Sequence, residues 1–175
     1  MNSPLDASIE TANTRATLYF MCGKMAAGKS TLSIELVRMH DAVLLNQDDW
    51  LTALYPGEIT SIPDYVRCST RLRDALTPLI VNLLSRSTSV VLDHPGNTRK
   101  QRQWFRDLIE RANVPHELHF IDASDDTCKR QLKQRSAALP AGSAWTTDAE
   151  FDAITAYFQA PADDENFNII RHQRT

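Results

Sequence analysis

Apolar and polar positions along the chain fall into two alternating rhythms. "ATLYFMC" (16–22) is a β-rich apolar run, and beyond Lys29 the apolar residues return at helical spacing, which should turn Leu32, Leu36 and Met39 inward. "AVLLNQ" (42–47) reads as a second short strand. A long section from Tyr55 opens with turn residues and becomes helical from about Tyr65 to Ser85, where Pro78 should mark a helix start or a kink. "SVVLD" (89–93) predicts a third strand. A helix follows it, with Asn97 or Thr98 as cap and an apolar stripe at Trp104, Phe105, Leu108 and Ile109. "HELHFID" (116–122) predicts a fourth strand, and Ser124 caps a charged helix after it. The loop-like insert "AALPAGSAWTT" (137–147) precedes a helix over "DAEFDAITAYFQA" that ends before Pro161, and "FNIIR" supplies a last strand. Short strands alternating with helices predict a parallel sheet covered on both faces, an α/β sandwich with right-handed crossovers.

Composition narrows the class. A chain of 175 residues, 42% hydrophobic and 23% charged, fits one domain over 16–175 behind a polar tail at 1–15. A formal charge of −3 does not suggest attachment to nucleic acid by bulk charge, although a local basic groove stays open. No apolar segment approaches the roughly 18 residues that would span a bilayer, and the first residues lack a basic start followed by an apolar stretch. Cys22, Cys68 and Cys128 are odd in number and lack zinc spacing, as expected of core or surface thiols in a cytoplasmic protein.

One motif carries most of the chemistry. Gly23-Lys24-Met25-Ala26-Ala27-Gly28-Lys29-Ser30 matches G-x-x-x-x-G-K-[ST] at every fixed position, with a strand before it and a helix after it, and Thr31 extends it. Glycines let backbone N–H groups turn toward a phosphate, and the helix N-terminus adds the positive end of its dipole. Lys29 can reach the β- and γ-phosphates of a nucleoside triphosphate, and the Ser30 hydroxyl can ligate Mg²⁺.

Three further groups flank this loop in sequence. Asp48 and Asp49 follow the second strand, where a carboxylate could take the proton of an attacking hydroxyl or hold Mg²⁺ through water, or could simply cap a turn. Asp93 ends the third strand, the place of a second Mg²⁺ ligand, and His94 beside it has no assigned role. Lys129, Arg130, Lys133 and Arg135 precede the insert. Arg130 and Arg135 have the character of lid arginines that close over a transferring phosphoryl group, and the two lysines that of a solvated face.

Together these elements resemble the P-loop kinases of the nucleoside-monophosphate-kinase-like group. Within it the chain is most similar to the small AAA-domain kinases related to polynucleotide 5′-hydroxyl kinase, chloramphenicol phosphotransferase and zeta toxin. "GKMAAGKST", "NQDDW", "VVLDHPGNTRKQR" and "LKQRSAALPAG" followed by "FDAITAYFQAP" carry the resemblance, which extends from Thr17 to about Arg171. It implies a five-stranded parallel sheet in the order 2-3-1-4-5, a three-layer sandwich and a lid at roughly 130–150. It further implies that Asp48 activates the acceptor hydroxyl, that Asp93 and Arg102 serve the site, and that Arg135 is the lid arginine with Arg130 as a second. Leu51 stands where polynucleotide kinases carry an arginine, and Phe158-Gln159-Ala160-Pro161 departs from the usual ending of the lid helix.

The expected function is therefore transfer of the γ-phosphoryl group of ATP, with Mg²⁺, to a hydroxyl of a small molecule. Asp48, Asp49 and Arg102 would face the acceptor, and residues 51–73 would cover it. A 5′-hydroxyl polynucleotide kinase using Arg67, Arg71, Arg73, Arg99 and Arg102 as a basic groove is the alternative enzyme. A nucleotide-binding switch or weak ATPase is the alternative of another class. Acceptor, oligomeric state and pathway are not encoded in a form the sequence reveals.

Overall fold

The computed structural model describes residues 15–137 and 147–174. Its first half runs β1 (Leu18–Cys22), α1 (Lys29–His40), β2 (Val43–Asn46), α2 (Gln47–Leu54), α3 (Ile62–Ser85) and β3 (Val90–Asp93). The second half runs α4 (Arg99–Ala112), β4 (His116–Ala123), α5 (Asp125–Ala137), α6 (Asp148–Thr155), a 3-10 turn at Asp163–Glu165 and β5 (Ile169–Arg174). Residues 1–14 of the polar tail and the middle of the expected lid, residues 138–146, lie outside the described residues.

β1 is apolar throughout because it is buried on both faces. Leu18, Phe20 and Cys22 join one cluster with Leu72, Leu76 and Ile80 of α3 and Phe105 and Leu108 of α4. Tyr19 and Met21 point the other way, toward Leu32 and Leu36 of α1 and Phe151 of α6. The same alternation divides Leu118 and Phe120 from Ile121 and Ala123 on β4, so a one-residue register slip would exchange the two cores. All four strand pairings are parallel and the order is β2-β3-β1-β4-β5, as expected. The chain winds from β1 out to β2, returns, and crosses to β4 and β5. This reversal opens a crevice above the carboxyl end of β1.

Several expectations are corrected. Met39 is 64% exposed, outside the inner stripe of α1 that Leu32 and Leu36 occupy. α2 stands where no element was expected, because the Asn46 side chain accepts from the Asp49 N–H at 3.1 Å and caps a helix there. α3 begins at Ile62, where Ser61 caps it and Pro63 occupies the first turn, and it runs unbroken through Pro78. Pro78 stands on the exposed face, and beside it the Thr77 hydroxyl donates to the Arg73 carbonyl at 2.7 Å. α6 ends at Thr155 rather than Ala160; the chain then turns to pair Gln159 N–H with the Asn97 carbonyl at 2.8 Å. All three cysteines are buried and free, and burial pushes the Cys22 thiol up to about 11.

His94 is the least expected member of the interior. It is 2% exposed, tilted against Trp104 at 5.1 Å, and neither ring nitrogen has a hydrogen-bond partner among the described residues. Burial, assisted by the nearby Arg73 charge, pushes its pKa down to about 3. The imidazole is thus neutral when folded but titrates near 6.5 when unfolded. Its favourable contribution is complete above the unfolded pKa and is lost as pH falls from about 6.5 toward the folded value, at about 1.4 kcal/mol per pH unit. Urea unfolding at pH 7, 6 and 5 should show this decline. In His94→Phe the slope should flatten by about that amount, leaving the smaller contributions of His116, His119 and His172, whose pKa values are also lowered.

Candidate active site

The loop between β1 and α1 occupies the mouth of the crevice. Ala26 (φ 58°) and Gly28 (φ 102°) both take left-handed backbone, which curls the loop back toward the start of α1. Gly28 is the N-cap of α1, no side chain caps that end, and no acidic residue stands in the first turn. The result is a helix N-terminus with its positive end left for an anion. A Cβ at Gly28 would fall 2.8 Å from the Arg174 guanidinium, the movable end of a flexible side chain, so it is the φ of 102° that requires glycine. Lys29 folds back over the loop, its Nζ donating to the Gly23 carbonyl at 2.7 Å and the Lys24 carbonyl at 2.8 Å. Burial lowers its pKa, and the charges of Asp93 and Cys22 oppose that fall. Lys24 is turned aside to an ion pair with Asp125 at the start of α5. Met25 and Ala27 pack into the core under the loop. Ser30 and Thr31 stand exposed in the first turn of α1.

The acidic side of the crevice comes from β2 and β3. Asn46 and Asp93 are partners in the strand register, and the Asn46 amide donates to Asp93 Oδ2 at 3.0 Å. Asn46 also caps α2, whose first turn presents Asp48 and Asp49. Asp48 lies within electrostatic reach of both Asp93 and Lys29. Partial burial, Asp93 and Asp49 raise its pKa and Lys29 opposes them. Two carboxylates and one ammonium thus lie within electrostatic reach of one another, an arrangement suited to holding a phosphate and receiving a proton beside it. Asp49 is exposed, and its backbone N–H is the group that the Asn46 cap engages.

Oxygen is the ligand type available for a metal. The Ser30 hydroxyl and the Asp93 carboxylate are hard donors, and among the described residues no group of three or more His, Cys, Asp or Glu side chains forms a cage. That donor set fits Mg²⁺, which keeps several waters and takes other ligands from phosphate, and does not fit zinc.

The expected cations separate into different roles. Arg135 is exposed near the end of α5, and its charge reaches Lys29. Arg130, also exposed, donates to Thr127 of its own helix at 3.1 Å. Lys129 pairs with Asp152 at 2.6 Å and Lys133 with Asp148 at 3.2 Å, joining α5 to α6.

Arg102 corrects the sequence reading outright. It is 0% exposed, in the interior of α4, and does not face the cleft. Its Nε and Nη2 donate to the two Glu165 carboxylate oxygens at 2.7 Å each, and Nη1 donates to the Gly96 and Gln159 carbonyls at 2.8 Å each. A weaker contact to the Ala160 carbonyl at 3.5 Å occupies the fifth donor. A guanidinium so saturated has nothing left for a substrate. The other arginines of the supposed basic groove are dispersed as well. Arg67 pairs with Asp64, Arg99 pairs with Asp164, and Arg73 lies over the Trp104 ring.

Two residues of the site escaped the sequence reading. The Asn97 side chain accepts from the Gly23 N–H at 3.1 Å and ties the β3–α4 loop to the start of the phosphate-loop motif. Arg174 ends β5 beside Gly28, and its place at the carboxyl end of a parallel strand was the signal that could have found it.

A family model described as an AAA domain matches residues 18–161. Among solved structures, a protein from Chloroflexus aurantiacus superposes with a TM-score of 0.70 at 17% identity, covering 91% of this chain and 85% of its own. The APS kinase CysC of Mycobacterium tuberculosis, solved with AMPPNP and APS, gives 0.62 at 20% identity over 91% and 88% of the two chains. A gluconokinase from Sinorhizobium meliloti 1021 gives 0.60 at 15% identity over 91% and 82%. These likenesses establish a P-loop kinase-like fold. No curated protein matches the chain.

The buried pair at Arg102 makes a sharp prediction. Arg102→Leu leaves the Glu165 carboxylate buried without its partner and should cost about 3–5 kcal/mol in denaturant unfolding. A substrate-contacting arginine on the surface would change stability by only about 0.5 kcal/mol.

Proposed function

Because the chain belongs to the AAA domain family, we propose that it is an ATP-dependent kinase that phosphorylates a hydroxyl group of a small molecule. The observation that carries this reading is that the phosphate-loop cation Lys29 and the carboxylates of Asp48 and Asp93 lie within electrostatic reach of one another. A pure nucleotide switch has no need of a carboxylate in the place of Asp48.

In this reading the loop amides from Gly23 to Thr31 and the end of α1 hold the triphosphate. Lys29 leaves the Gly23 and Lys24 carbonyls to bind the β- and γ-phosphates. The acceptor oxygen attacks the γ-phosphorus as the bond to the β,γ-bridging oxygen breaks; its proton passes to Asp48, and ADP leaves with the electrons of the broken bond. Ser30 and Asp93 would hold Mg²⁺, which supplies neutralisation of charge on the phosphate oxygens. Arg135, with Arg130 as a second, belongs to the segment that closes over the transferring group. Asp49 lies at the acceptor's edge of the cleft.

The raised pKa of Asp48 has a direct consequence. A base must be ionised to accept a proton, so kcat should fall on the acid side with a midpoint above the ordinary carboxylate range. Asp48→Asn should lower kcat by about 10²–10⁴-fold while ATP affinity, measured by calorimetry, stays near that of the parent protein. Retained phosphoryl transfer in that variant would reject the reading. Lys29→Ala should cost about 10²–10³-fold in kcat, since a charge that meets the developing phosphoryl oxygens is removed.

A further inference from the structure

The wall of the cleft next to Asp48 has a definite chemical character. A cavity of about 530 Å³ opens between α2 and the start of α3. Asp48 lies at one side, and Leu51, Tyr55, Ile59 and Tyr65 form much of the lining, with Thr52 as a further polar group. The volume is that of a site for a whole small molecule rather than for one hydroxyl group.

Among the described residues, the lining contains no lysine, arginine or histidine. Its one group that is charged at neutral pH is the Asp48 carboxylate, with Asp93 close enough to raise the Asp48 pKa further. A phosphate or carboxylate on the acceptor would therefore meet the Asp48 carboxylate with no guanidinium or ammonium in the lining to pair with it, since the charges of Lys29 and Arg73 reach Asp48 and Tyr65 from outside that lining. The arginines that could have supplied one are held elsewhere. Arg67 bonds Asp64 at 2.6 Å on the exposed side of α3, and Arg73 lies 5.9 Å from the Trp104 ring centre. What the cavity offers instead is aromatic and aliphatic surface with hydroxyls at its edge. The Tyr65 hydroxyl is positioned by the Gln47 amide, which donates to it at 2.7 Å, and by the Ser69 hydroxyl beside it.

We infer that this cavity is the acceptor site and that it takes an uncharged alcohol borne on an apolar or aromatic ring, rather than an anionic sugar acid, nucleotide or oligonucleotide end. The inference rests on the kinase reading. The acceptor's hydroxyl lies toward Asp48, its ring fills the space between Tyr55, Ile59 and Leu51, and a second hydroxyl meets Tyr65. Transfer forms the phosphate monoester of that alcohol, with its proton on Asp48 and ADP as the other product.

Two acceptor sets and one variant test this. γ-labelled ATP is supplied with an uncharged set (adenosine, thymidine, phenyl β-glucoside and 1-phenyl-1,3-propanediol) and an anionic set (gluconate, adenosine 3′-phosphate and a 5′-hydroxyl oligothymidylate). Label should enter the uncharged set, and Asp48→Asn should abolish it. Thr52→Arg places a cation on an exposed position of the lining and should lower kcat/KM for the labelled acceptor by at least about tenfold while the KM for ATP holds. Label in the anionic set alone overturns the inference and spares the kinase reading. Unchanged turnover in Thr52→Arg likewise overturns the cavity assignment alone. Absence of label from both sets overturns the two together.

Discussion

A buried guanidinium holds this molecule together at the place where function is sited. Arg102 reaches from α4 to the Gly96 carbonyl of the β3–α4 loop, to the Gln159 carbonyl of the segment after α6, and to both oxygens of Glu165. Those three segments are otherwise irregular chain, and irregular chain in the interior needs its polar groups satisfied. Once Gly96 is pinned, a Cβ there would lie 2.5 Å from the Met21 carbonyl, so the loop is packed against β1 itself. The next residue, Asn97, takes the Gly23 N–H. The phosphate-loop motif therefore begins at a point set by a charge on the opposite side of the sheet from α1.

The cleft that results is electrostatically tense. Lys29 is buried enough to lose part of its preference for the charged form, and it relieves that cost by donating to two loop carbonyls. Asp48 at the start of α2 and Asp93 at the end of β3 lie within electrostatic reach of each other, and burial together with the Asp93 charge raises the Asp48 pKa. A triphosphate entering this space would offer Lys29 better partners than neutral carbonyls. Binding and rearrangement of Lys29 are thus coupled by ordinary charge pairing. The α2 cap at Asn46 is part of the same device, since one side chain both bonds Asp93 and starts the helix that carries Asp48.

Much of this was legible in the order of residues. The phosphate loop is contiguous, its glycines and lysine act within a few bonds of one another, and strand and helix periods announce the layers around it. The corrections share one cause. Arg102 reads as a surface or substrate arginine because its helix is otherwise highly charged, yet its partner Glu165 lies far along the chain. The helix α2 was missed since its cap, Asn46, also ends a strand. His94 gave no signal because its burial depends on Trp104 and α3 closing over it.

What the amino-acid order determined alone was the layered α/β class, the phosphate loop and its polarity, all of which follow from local period and backbone conformation. The strand order came instead through resemblance. Tertiary structure decided which arginines are structural, which loop carbonyls receive Lys29, and that among the described residues the cavity lining beside Asp48 carries no cation. Those outcomes depend on contacts between residues distant in sequence, where burial and pairing assign a side chain its charge and its role, and neither can be read from the side chain's identity.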